Sequence, residues 1–140
     1  KAAVAQGKLA YKLFTETFAG PRWEALAARG ARVQRPLWAS TSTKDPEYPD
    51  TLYVDELIGP DTVNTLPDAT LEAFADHGTV ARRIDADVGQ AEAVWAALPG
   101  VGVDMDDVAD QLEREGVASF ITAFDELIEA LEAKAAELRS

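Results

Sequence analysis

Apolar positions recur at helical spacing over residues 2–19, where Val4, Leu9, Leu13 and Phe14 return every three to five residues and Tyr11 and Phe18 fall near the same face. Gly20-Pro21 closes that stretch and sets Pro21 at the start of a second, shorter helix, RWEALAARG, which Gly30 ends as a C′ residue. The run RVQRPLWAS then has no helical period. Its apolar residues, Val33, Leu37 and Trp38, predict a short buried strand over 36–40 with Pro36 at the first position.

A polar loop and about two helical turns follow, from Thr51 to Ile58, with Asp50 or Thr51 as N-cap and Gly59-Pro60 as terminator. DTVNTLP, 61–67, predicts a second strand, after which Asp68 caps the helix ATLEAFADHG, stopped by Gly78. Residues 31–78 thus alternate strand, helix, strand, helix, as in two βα units of a parallel sheet.

Beyond residue 78 the pattern changes. TVARRIDADVG is polar and irregular, and helices are predicted over 89–98, 104–115 and 117–138, with Gly116 separating the last two. The third carries a broad apolar stripe that includes Phe120, Phe124, Leu127 and Leu131, which calls for a packing partner. Two short parallel strands do not make a closed domain, because parallel sheets are covered on both faces and have more strands. The pattern fits the end of a (β/α)-type barrel better than a self-contained helical domain.

Charge narrows the function. Thirteen basic against 25 acidic residues give a formal charge of −12 and a pI near 4.4, a field that repels nucleic acid and anionic membranes. No cysteine is present, which excludes disulfides, thiol catalysis and thiolate metal sites and suits a cytoplasmic location. No apolar run approaches the roughly 20 residues of a membrane span. The first residues, KAAVAQGKLAYKLF, lack the pattern of a signal peptide and begin without Met in helical periodicity, as if the chain were entered in its middle.

Candidate chemistry concentrates at ASTSTK, residues 39–44, after the first strand. Four hydroxyls and a lysine can hold a phosphate, and a lysine can also form an imine with a sugar carbonyl. Imine formation needs a neutral amine, and Asp45 beside Lys44 in a polar loop favours the ammonium instead. An ordinary solvated loop is the other reading. Asn64 and Thr65 end the second strand, where Asn64 either lines a site or satisfies backbone at a bend, the latter being preferred. His77 has no second histidine for a metal and no serine for a triad, and reads as a helix-end residue. Asp104, Asp106, Asp107 and Asp110 imitate a calcium loop, but Ala109 stands where an EF-hand needs Gly, so they form an acidic helix N-terminus. Trp23, Trp38 and Trp95 share no cofactor-like spacing and read as packing residues.

Three blocks carry a resemblance. Gln34 to Lys44 (QRPLWASTSTK), Tyr48 to Leu57 (YPDTLYVDEL) and Val63 to Pro67 (VNTLP) are similar to motifs of bacterial transaldolases, and the flanking helices follow more loosely. The resemblance implies an α/β fold, predominantly helical: the C-terminal portion of a (β/α)8 TIM barrel, with the last βα units in 1–78 and a C-terminal helical extension in 79–140. A whole barrel takes about 250 residues, so this chain cannot close one.

The resemblance also implies transfer of a dihydroxyacetone unit between sugar phosphates in the pentose phosphate pathway, without cofactor or metal. The Schiff-base lysine would lie upstream, outside this chain, leaving it inactive alone with no catalytic residue of its own. Its own part would be phosphate binding by Ser40, Ser42 and Lys44. Transaldolases often place a serine and an arginine here; Ser40 matches the first, but Ser42 stands in the arginine's place and Lys44 is the nearest cation. Expected partners are a sugar phosphate and the N-terminal part of the same barrel. A non-catalytic acidic helical interaction module is the alternative.

Overall fold

The computed structural model describes residues 1–139 and divides into two compact units, Lys1–Ala97 and a second beginning at Leu98. In the first unit the helices are α1 (Ala2–Thr17), α2 (Gly20–Ala27), α3 (Leu52–Glu56), α4 (Asp68–His77) and α5 (Val88–Ala97). Two short strands, β1 (Leu37–Trp38) and β2 (Val63–Asn64), pair in parallel, with Leu37 opposite Val63 and Trp38 opposite Asn64. The predicted alternation of strand and helix is present, but each strand has only two residues, and the first is not the buried strand expected, since Leu37 is 54% exposed. Pro36 has no N–H to give, and Ser40 leaves the extended region with a φ of 56°. Pro36 and Trp38 carbonyls accept from the Val63 and Thr65 amides at 3.0 and 2.9 Å.

The core lies between these strands and the helices. Tyr11, Leu57 and Ile84 form its buried cluster, with Phe14 and Trp38 packed against it. Each fully buried side chain of this size contributes about 1.5–3 kcal/mol. Aromatic contacts continue outward from Tyr11 through Phe14 and Phe18 to Trp23, the last pair edge to face at 4.8 Å. The Tyr11 hydroxyl donates to the Pro60 carbonyl at 3.1 Å, and burial pushes its phenol pKa up.

Ile84 is fully buried although it stands in the irregular polar segment after α4. Backbone N–H groups of Arg83 and Ile84 both donate to the Ile58 carbonyl, at 2.9 and 3.0 Å, and hold the segment against the turn that follows α3. Gly59 permits this approach, since a Cβ there would lie 2.1 Å from Ile84 Cγ2. Gly30 fulfils the expected C′ role: its φ is 93°, Gly30 N–H donates to Ala27 O and Ala31 N–H to Leu26 O, the paired bonds of a Schellman motif.

Three further expectations need correction. In α1 the buried residues are Ala5, Gly7, Lys8 and Tyr11, whereas Leu13 is 64% exposed; the face is rotated from the one that the apolar spacing selects. Lys8 enters because its ammonium donates to the Ala86 carbonyl at 3.0 Å and sits 3.4 Å from Glu56. Asp68 does not cap α4; it lies in the first turn, Pro67 takes the cap position, and no side chain bonds there. Residues 104–115 and 117–138 are not separate helices.

The second unit opens with a short 3-10 turn at Pro99–Val101 and continues as one helix, α6 (Met105–Arg139), through Gly116. A helical glycine costs only about 1 kcal/mol, which the helix-forming residues on both sides overcome. Asp104 supports its start, as its acidic character suggests, by accepting from the Asp106 and Asp107 amides at 3.0 and 3.3 Å. No residue of α6 is buried; the expected packing of its apolar stripe is absent, with Phe120 82% exposed. Among the described residues, no helix is long and apolar enough to cross a membrane.

Candidate phosphate-binding rim

β1 ends at Trp38, whose indole N–H donates to the Leu57 carbonyl at 3.1 Å and fixes the strand end to the helix layer. Ala39 and Ser40 follow, and the positive φ of Ser40 turns the chain out of the strand. That conformation is strained for a residue with a Cβ and persists only where neighbouring structure imposes it. Thr41 then points inward and is buried, while Ser40 and Lys44 are exposed and Ser42 is half-buried.

Lys44 Nζ donates to Ser42 Oγ at 3.1 Å. Because Ser42 accepts this bond, its own hydroxyl hydrogen stays available, and two N–H groups of the ammonium remain. Ser40, Ser42 and Lys44 line one cavity of about 720 Å³, bounded by Leu37, Trp38 and the small residues Ala3, Gly7 and Ala10 of α1. The three candidate residues therefore come together at one strand end, with hydroxyl and ammonium donors directed by a short loop. Asp45 lines the same cavity, and its Oδ1 accepts from the Glu47 amide at 2.9 Å, forming an Asx turn.

Asn64 bonds a side chain rather than the backbone groups expected at the bend. Its Oδ1 accepts from the Thr41 hydroxyl at 2.8 Å, and its register partner Trp38 packs against the core. Lower in the loop, Thr51 takes the N-cap position of α3 but donates to Asp55 Oδ2 at 2.7 Å, leaving the helix amides uncapped by its side chain. Asp55 Oδ1 in turn accepts from the Thr79 amide at 2.7 Å.

His77 ends α4, as the sequence suggests. Its Nε2 lies 2.9 Å from Asp50 and its Nδ1 3.1 Å from Asp76. The bond to Asp50, then that to Asp76, raises the imidazole pKa; the bond to His77 lowers that of Asp50. Lys8 went unnoticed in the sequence, and Thr41 stood out only as one of four loop hydroxyls at the rim; both are placed by partners more than 20 residues away.

Among the described residues, no group of three or more His, Cys, Asp or Glu side chains is arranged to hold a metal. The family model for transaldolase/fructose-6-phosphate aldolase matches residues 1–131. The chain is 57% identical over 129 residues to a transaldolase of Frankia alni, covering 91% of this chain and 35% of that protein. It is 57% identical over 132 residues to a transaldolase of Acidothermus cellulolyticus and 58% identical over 132 residues to one of a Parafrankia species, each alignment covering 94% of this chain and 36% of the relative. The chain thus spans about a third of the length of these curated relatives. It belongs to the transaldolase/fructose-6-phosphate aldolase family and corresponds to a C-terminal part of a bacterial transaldolase.

Proposed function

We propose that this chain is the closing segment of a transaldolase (β/α)8 barrel, supplying the rim that holds the phosphate of a sugar phosphate. The observation that carries this reading is the Ser42–Lys44 pair, 3.1 Å apart at the end of a parallel strand. In barrels of this kind, ligands bind where strands end, and phosphate sites recur in the loops after the last two. A phosphate dianion would take two N–H donors of Lys44 and the hydroxyls of Ser42 and Ser40.

Chemistry on the substrate would come from an upstream lysine. Its amine condenses with the ketose carbonyl and releases water. Cleavage of the adjacent carbon–carbon bond frees an aldose phosphate, and the retained three-carbon enamine attacks a second aldose phosphate. Hydrolysis returns the amine. No metal or organic cofactor enters this cycle, which belongs to the pentose phosphate pathway in the cytoplasm. This chain alone is inactive, and its partners are the sugar phosphate and the upstream part of the barrel.

Assembly with the upstream portion of the Frankia alni protein tests the reading. Transfer activity is expected only with both parts present. Replacing Ser42 and Lys44 together by Ala should raise KM for the phosphorylated ketose roughly tenfold or more while the imine still forms. An unchanged KM would remove the rim from the account.

The exposed stripe of α6 favours a second reading, a non-catalytic helical interaction module. That reading expects full cooperativity and no gain in stability on adding the upstream part; a rise in melting temperature on mixing would defeat it.

A further inference from the structure

We propose that Thr41 is a positioning residue, whose buried hydroxyl pins the first turn of the 40–50 loop to the end of β2 and thereby sets the spacing of Ser40, Ser42 and Lys44. The inference rests on the phosphate-rim reading and adds a residue whose hydroxyl hydrogen is given to protein acceptors rather than to a ligand.

Thr41 is 3% exposed between two neighbours that face solvent or the cavity. Its Oγ1 donates to Asn64 Oδ1 at 2.8 Å, with the Thr65 carbonyl as a second, longer acceptor at 3.3 Å. Both acceptors lie at the end of β2, so one hydroxyl crosses from the β1 loop to the neighbouring strand. Thr65 answers in the other direction: its N–H and its hydroxyl reach the Trp38 carbonyl at 2.9 and 3.3 Å. The two strand ends are therefore cross-tied on both sides of Ser40.

That tie explains a conformation that would otherwise relax. Ser40 has a φ of 56°, a region unfavourable for a side-chain-bearing residue, and nothing in its own side chain holds it there. With Thr41 anchored inward, the chain must turn at Ser40, and the next outward position falls to Ser42, within reach of Lys44. Valine at position 41 would keep the shape and lose the hydrogen bond, leaving the Asn64 amide without that partner in a half-buried place. Serine would keep the hydrogen bond and lose a methyl group.

The test titrates inorganic phosphate into the 140-residue chain and follows the amide resonances of Ser42 and Lys44, for wild type, Thr41→Val and Thr41→Ser. Thermal melting of each chain is recorded alongside. Wild type and Thr41→Ser are expected to bind alike, and Thr41→Val to bind about tenfold more weakly with faster amide exchange over 40–44. Should Thr41→Val fail to fold, Asn64→Ala removes the acceptor instead and should weaken binding in the same direction. Equal binding by wild type and Thr41→Val, or weak binding by Thr41→Ser, overturns the inference and leaves the phosphate rim standing. No binding by any chain, wild type included, overturns the rim and the inference with it.

Discussion

The unit Lys1–Ala97 and the helix α6 both carry amphipathic helical patterns and reach opposite outcomes. In the first, Tyr11, Leu57 and Ile84 come from three separate segments and bury one another. In α6, Val117, Phe120, Phe124 and Leu131 recur at helical spacing and none is buried. Periodicity thus selects a face, whereas burial needs other elements to meet it. At 35 residues, α6 is ~52 Å long, and its own support is local: the Asp104 cap, Gln111 to Glu115, and Lys134 to Glu137. The first unit is held by contacts distant in sequence, and the second by contacts within a turn or two. Substitutions should therefore act cooperatively in one and locally in the other.

The largest effect is expected at Gly59. A methyl group there collides with fully buried Ile84, and such overpacking costs about 1–3 kcal/mol. Gly59→Ala should lower the urea midpoint of the first unit while the helical signal of α6 persists; a simultaneous loss of both would mean the two regions are not energetically distinct. Lys8→Ala comes next. It leaves the Ala86 carbonyl without its donor and Glu56 without its cation, for about 1–3 kcal/mol. An unchanged midpoint for that variant would show that water replaces the ammonium freely.

In α6, Gly116→Ala meets open space, with nothing beyond its chain neighbours and the local helix backbone within 4 Å of the added Cβ. It should gain about 0.5–1 kcal/mol of helix stability and leave the first unit's midpoint alone. A shift in that midpoint would contradict the comparison from the other side.

The smallest effect is set by pH. The His77 pKa is raised and that of Asp50 lowered, so their link is complete between the ordinary values of the two groups, about pH 4 to 6.5. It is lost as pH falls through the lowered carboxyl pKa, and lost again as pH rises through the raised imidazole pKa. Both groups are well exposed, so the effect belongs to the loop more than to global stability. Amide exchange over 45–50 should quicken above the imidazole pKa in wild type, beyond the ordinary pH dependence of exchange. That extra step should be missing in His77→Ala.

The sequence made some features legible because a few adjacent residues decide them. Gly30 marks its Schellman turn, Asp104 its helix start, and Pro36 with Leu37 and Trp38 the first strand. Features decided across the fold were not legible. Leu13 looks like a core residue and is exposed, Lys8 looks like a surface residue and is buried, and Ile84 is the best-buried side chain of a segment with no pattern. Gly116 resembles a helix end, but nothing following it supplies a competing turn. At the candidate rim, residue type marked four hydroxyls and Lys44, and the resemblance singled out Ser40, Ser42 and Lys44 among them. Thr41 was visible as a loop hydroxyl, but its inward place was not, because that lies in Asn64 and Thr65, 23 and 24 positions away.

The central claim is that this chain contributes a phosphate rim and leaves imine chemistry to an upstream lysine. Borohydride trapping with fructose 6-phosphate, read by intact mass on this chain mixed with the upstream part of a relative, tests it most directly. The account predicts a reduced adduct on the upstream chain and none on this one. An adduct on this chain, mapped to Lys44, would contradict it.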